Sequence, residues 1–150
     1  ARWLTDLAHL AARSPVPVLL PESLPPGWAF DGGALWPSPP PAQVQWLLSA
    51  DSPFGPATVV YARARPINDT QALKLPPTLP VEEGWRLRAE AVRGRRGWVG
   101  RQGGPLLGGW MVAWTEPRLG ASYQLFVRAG VIQDARALSV FLAGLRSLEF

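Results

Sequence analysis

The 150-residue sequence has no cysteine, one histidine, one lysine and one methionine. Each shortage removes a class of chemistry. Without cysteine there is no disulfide scaffold, no thiolate zinc site and no thiol nucleophile, while the redox compartment stays open. A lone histidine supplies transition metals poorly, since their sites draw on several imidazole or thiolate ligands. No apolar run reaches the roughly 18 residues that a membrane-crossing helix requires. No G-x-S-x-G nucleophile elbow occurs, because Gly120-Ala121-Ser122-Tyr123 lacks the second glycine. With no recognisable base, nucleophile or metal set, the expectation is a protein that is not an enzyme and needs no cofactor or metal.

What is present is apolar, aromatic and rich in turn residues. Hydrophobic residues make up 47% of the chain, with eight Trp, 17 Pro and 15 Gly. That is ample for one core and excludes a wholly disordered chain. The formal charge is +4, yet fourteen of the fifteen basic residues are Arg and only Lys74 is Lys. GC-rich coding produces the same skew, so the basic balance by itself is not read as a sign of an acidic partner. The first residue is Ala rather than Met. A signal peptide or membrane anchor upstream is the expectation, with a truncated coding segment as the alternative.

Along the chain, residues 1–13 carry Trp3, Leu4, Leu7, Ala8, Leu10 and Ala11 at helical spacing, and Pro15 stops them. Residues 16–30, VPVLLPESLPPGWAF, form a stiff corner. Pro17 confines residues 16–20 to an edge or an extended lead-in. Pro26-Gly27 suits a type II turn, and Trp28 and Phe30 then share one face of a strand. The segment 37–41 is a proline-rich connector. Period-2 alternation marks strands at 43–49, 58–65, 85–92, 110–115 and 122–128, with a hairpin turn at 93–97 returning through Trp98 to Arg101 and a looser turn at 103–109. Residues 66–80 read as irregular, and the N-x-T match at Asn68 is too short to assign a glycan. Asp134 is a helix N-cap, followed by a stripe of Leu138, Phe141, Leu142, Leu145 and Leu148. The expected fold is therefore α+β: a curved antiparallel sheet of short strands with an N-terminal and a C-terminal helix packed on it. One domain spans 1–150, with the N-terminal helix at 1–13, the sheet at 16–128 and the C-terminal helix at 134–148.

Few side chains present themselves for a site. Asp6 and His9 form an i,i+3 surface pair rather than a polarised base. Glu82-Glu83, being neighbours, cannot share a strand face. Glycines 94, 97, 100 and 103 recur every third residue, but too briefly for a triple helix and without a following Gly-Lys-Ser/Thr. Arg86, Arg88, Arg93, Arg95, Arg96 and Arg101 place six of the fourteen arginines within sixteen residues. With Trp85 and Trp98 beside them they suit a stacking surface for single-stranded nucleic acid, a site for anionic headgroups, or a solvated hairpin. Trp46, Trp110 and Trp114 are assigned to the core by alternation. Trp28, Trp85 and Trp98 lie near turns and are candidates to rim a groove for an apolar or sugar-like ligand. The candidate binding residues are thus Trp28, Trp85, Trp98, Arg86, Arg88, Arg93, Arg95 and Arg96.

The corner also carries a resemblance. Pro21-x-x-Leu24-Pro25-x-Gly27-Trp28 resembles the P-x-x-L-P-x-G-aromatic opening of an uncharacterised bacterial domain family. That family occurs in extracytoplasmic parts of envelope proteins, including anti-sigma-factor-like regulators. It is distantly similar to lipoprotein-carrier and sigma-regulator sensing domains. The order of Tyr61, Val92-Arg93-Gly94, Trp114, Tyr123 and a closing helix with Leu138 and Leu145 follows the same pattern over residues 16–148. The proline insertions at 37–41 and 76–80 depart from it, as do the missing zinc-binding anti-sigma segment and membrane helix. The resemblance implies a non-catalytic sensing or binding domain outside the cytoplasm: periplasmic, surface-displayed or secreted. Its partner would be a lipid or other apolar ligand, or another envelope protein. Pro21, Leu24, Pro25 and Gly27 would shape the corner without touching a ligand. An Arg/Trp-rich nucleic-acid-binding module is the alternative.

Overall fold

A computed structural model describes residues 2–36, 42–67, 85–102 and 109–147, with the side chains of 2–4, 85–87 and 102 left aside. The proline connector at 37–41, the 68–84 stretch with Asn68 and Glu82-Glu83, most of the turn at 103–109, and Leu148 lie outside the described residues. The elements run β1 (Arg2–Leu4), α1 (Leu7–Arg13), β2 (Leu19–Pro21), β3 (Trp28–Trp36), β4 (Gln43–Ala50), β5 (Ala57–Pro66), β6 (Trp85–Val92), β7 (Arg95–Gln102), β8 (Trp110–Glu116), β9 (Ala121–Val127), α2 (Ala135–Ala143) and β10 (Leu145–Ser147).

Eight strands form one antiparallel sheet in the order β1-β3-β4-β5-β9-β8-β7-β6. It consists of two meanders, β3-β4-β5 and β6-β7-β8-β9, joined where β5 pairs with β9. Among the described residues the sheet is open, with β1 and β6 at its edges. Register places Trp46, Ala62, Leu125, Val112 and Val99 side by side across five strands. All five are buried. Leu10 of α1 and Leu138 and Leu142 of α2 belong to the same buried cluster. The other face has a smaller cluster of Met111 and Ala113, against which Phe126 packs. Alternation explains this division, since neighbouring residues of a strand point to opposite faces.

The corner at 21–28 is built as its sequence requires. Trp28 N–H donates to the Pro25 carbonyl at 3.0 Å, and Gly27 takes φ +83°. Trp28 and Phe30 both pack against the main cluster. Trp28 reaches Phe141 of α2, with ring centroids 6.1 Å apart.

Three expectations are corrected. The helix placed at 1–13 begins only at Leu7, because Arg2–Leu4 pairs as β1 along β3. Asp6 is the N-cap, and its carboxylate accepts from Ala8 N–H at 2.8 Å and His9 N–H at 3.4 Å. The same carboxylate lies 3.8 Å from His9 Nδ1, so the exposed i,i+3 pair read from the sequence is present beside the cap. The helix placed at 134–148 ends at Ala143, and Leu145–Ser147 leaves it to pair with Leu19–Pro21 in a separate two-stranded sheet. Gly144 marks the break; beyond it, β2 supplies the partner that turns residues with helical spacing into a strand. Finally, the turn at 93–97 tightens to two residues, Arg93 and Gly94, with Val92 opposite Arg95. Both take positive φ, +54° and +71°. This is the geometry of a type I′ hairpin, whose twist matches the flanking strands.

Tyr123 lies at the centre of the main cluster, 1% exposed. It stacks on Trp114 at 5.4 Å and meets the edge of Trp46 at 6.5 Å. Its hydroxyl donates to the Pro17 carbonyl at 2.6 Å, tying the segment before β2 to β9. Burial raises its pKa above the ordinary tyrosine value; Glu116 adds to the rise and Arg93 opposes it. An acid whose folded pKa is raised is ionised more readily when unfolded, so stability is lost as pH climbs past about 10. Urea unfolding from pH 8 to 11 should show that loss, and Tyr123→Phe should flatten it while costing about 1 kcal/mol at neutral pH. Tyr61, which burial also shifts upward, is common to both proteins and cancels in the comparison. Parallel pH profiles would refute the assignment to Tyr123.

Candidate binding site

A cavity of about 500 Å³ lies between α2 and the β6–β7–β8 part of the sheet. That volume falls within the range of pockets that enclose small organic ligands. Its large apolar lining residues are Val99, Trp110, Leu138 and Leu142, all buried core side chains, with the exposed Ala91 and Ala135 beside them. Its polar lining is Arg88, Glu90, Arg101, Asp134 and Ser139. Strand register explains the mixture. Val99 faces Val112 on one side and Arg88 on the other, so the apolar layer becomes charged on the edge strand. Charge along a sheet edge also discourages pairing with another chain.

The charged residues around the cavity differ in their attachments. Asp134 is occupied as the N-cap of α2, accepting from Ala137 N–H at 2.8 Å. Glu90 and Arg88 form a loose, exposed ion pair at 4.0 Å. Arg101 lies with its guanidinium carbon 4.6 Å from the Trp110 ring centroid, a cation–π arrangement set by direct cross-strand pairing. One of its terminal nitrogens donates to the Gln133 carbonyl at 3.2 Å. Its Nε–H is buried and has no acceptor among the described residues.

The candidate residues do not form one surface. Arg88 lines the cavity, and Arg95 shares its sheet face through pairing with Val92. Arg96 and Trp98 lie on the opposite face, where Trp98 pairs with Ala113. Trp28 sits against Phe141 on the core face, so Trp28 and Trp98 cannot rim one groove. Trp85 and Arg86 are placed by backbone only, opposite Gln102 and Arg101, and their side chains lie outside the described residues.

Arg93 has a different fate from the rest of its cluster. From the hairpin turn its side chain runs inward, with Nε donating to Glu116 at 2.5 Å. One terminal nitrogen donates to the carbonyls of Leu142 and Leu145, at 2.6 and 2.9 Å. Glu116 also accepts from the Trp114 indole N–H at 3.0 Å. Arg93 therefore fastens the β6–β7 hairpin to the end of α2 and the start of β10. Its guanidinium is consumed by the fold. These bonds also explain why an Arg tolerates the left-handed backbone, which favours glycine.

Ser139 was not singled out by sequence, since nothing in its local pattern marks it. Arg101 was seen only as one member of a charge run; its pairing with Trp110 depends on strands brought together by the fold. Among the described residues, no group of three or more His, Asp or Glu side chains is placed to hold a metal ion. No helix among them is long and apolar enough to cross a membrane. No family model, curated protein or solved structure matches the chain.

Proposed function

We propose that this chain is a non-catalytic extracytoplasmic binding or sensing domain of a bacterial envelope protein. A curved antiparallel sheet with both helices packed on it would act as the container, holding an apolar ligand under α2. The observation that carries this reading is the cavity of about 500 Å³ whose apolar lining is continuous with the core. The resemblance of Pro21-x-x-Leu24-Pro25-x-Gly27-Trp28 to envelope domains supports the location. The nucleic-acid alternative has less to rest on. Arg95 and Arg96 fall on opposite faces, and Arg93 is spent on Glu116.

Titration with fatty acids, phospholipids, glycans and single-stranded oligonucleotides, followed by tryptophan fluorescence, separates the two. An apolar ligand in the cavity should change the emission, since Trp110 lines it, and the affinity should be nearly independent of salt. Binding to nucleic acid should weaken steeply with salt through counterion release. No response to any apolar ligand refutes the proposal, and a steeply salt-dependent response to oligonucleotides alone establishes the alternative.

A further inference from the structure

We infer that the cavity under α2 selects a single-chain amphiphile with a carboxylate head, and that Arg101 is the residue that recognises the head. The inference rests on the proposed binding reading and adds the chemical class of the ligand. Three observations converge on Arg101. Its guanidinium is held in place by Trp110 and by the Gln133 carbonyl, so it is pre-organised and loses little freedom on binding. Its Nε–H is buried without an acceptor among the described residues, although native folds satisfy nearly all such donors. Among the described residues, no carboxylate pairs with it, whereas Arg88 has Glu90 and Arg93 has Glu116.

The aliphatic part of the cavity suits a chain, while its two carboxylates are engaged, Glu90 with Arg88 and Asp134 with the first turn of α2. Val99, Leu138 and Leu142 offer aliphatic surface and no donor or acceptor from their side chains. A ligand polar along its length would leave its own groups unpaired there, which is costly. A neutral apolar ligand would leave the Arg101 Nε–H unpaired and desolvated. A carboxylate on an alkyl chain satisfies both ends. Its oxygen accepts from Nε–H in a charge-assisted hydrogen bond, stronger than a neutral one.

Calorimetric titration of the whole chain with decanoate and decan-1-ol separates head from tail. Decanoate should bind at least tenfold more tightly than the alcohol, and affinity should rise about fourfold per methylene from octanoate to decanoate. Arg101→Met should bring decanoate down to the affinity of the alcohol and leave the alcohol unchanged. Arg101→Lys keeps a charge but loses the Nε donor, and should recover only part of the difference. Ser139→Trp, which fills the cavity from an exposed helix position, should weaken both ligands at least tenfold. Near-UV circular dichroism and melting temperature confirm that each variant is folded. Equal affinity for acid and alcohol, or decanoate binding unaffected by Arg101→Met, overturns the head-group inference while leaving an apolar site standing. Failure of both probes to bind, or binding indifferent to Ser139→Trp, removes the site and the binding reading together.

Discussion

Arg93→Met should lower the stability of the fold by about 3–5 kcal/mol, the usual consequence of removing one partner from a buried ion pair. For a domain of this size that corresponds to a fall of roughly 6–20 °C in Tm. The Glu116 side chain is 7% exposed and would be left in the core with the Trp114 indole as its one donor among the described residues. The carbonyls of Leu142 and Leu145 would lose their donor as well. The backbone offers no compensation, because Met bears the same strain at φ +54° as Arg does. Replacing Glu116 by Leu together with Arg93→Met should cost less than the two single changes combined, since no uncompensated charge then remains. Chemical denaturation of the four proteins measures this directly. If Arg93→Met unfolds within 1 kcal/mol of the parent yet loses ligand binding, Arg93 is a ligand contact and its structural role is wrong.

Gly33→Ala should be among the most damaging glycine substitutions of the described residues, and Gly27→Ala is its control. A Cβ at Gly33 would collide with the Gln45 backbone carbonyl on β4 and stand 2.7 Å from Leu10 Cδ2 of α1. Leu10 is fully buried, so neither neighbour can move aside without shifting a helix or separating two strands. Overpacking of this kind costs about 1–3 kcal/mol and more where backbone must move, so a loss at or above the top of that range is expected. At Gly27 nothing lies within 4 Å of a Cβ, and the whole penalty comes from φ +83°. That penalty is about 1–2 kcal/mol. Gly27→Val should exceed it, because a β-branched residue at positive φ is a stronger outlier. Urea unfolding of both alanine variants gives the comparison. Equal costs would mean that α1 is not seated on β3 as closely as the contact at Gly33 requires.

Much of the sheet was legible in the chain because burial on one face writes a period of two into the residues. Val44-Trp46-Leu48, Val60-Ala62-Ala64, Trp110-Val112-Trp114 and Tyr123-Leu125-Val127 each alternate, and each alternating set is buried. The corner was legible for a local reason. Proline and glycine restrict backbone angles wherever they occur, so Pro26-Gly27 specified its turn without help from the rest of the fold. Of the three-residue strands only β2 was legible in part, through the edge or extended lead-in that Pro17 imposes on residues 16–20. β1, β2 and β10 are too short to carry a period, and each exists through a partner far away in sequence.

Composition alone excluded thiol and zinc–thiolate chemistry, and local pattern determined an antiparallel sheet with two helices. Only tertiary structure decided what the arginines do. Arg93, Arg95 and Arg96 are nearly adjacent and chemically identical, yet one is buried on Glu116 and the other two divide between faces. The cavity under α2 likewise depends on the spacing between a helix at 135–143 and strands that begin at residues 85, 95 and 110. Such spacing is a product of side-chain volume and strand register. Neither leaves a mark on the local sequence, because both are relations between segments rather than properties of one.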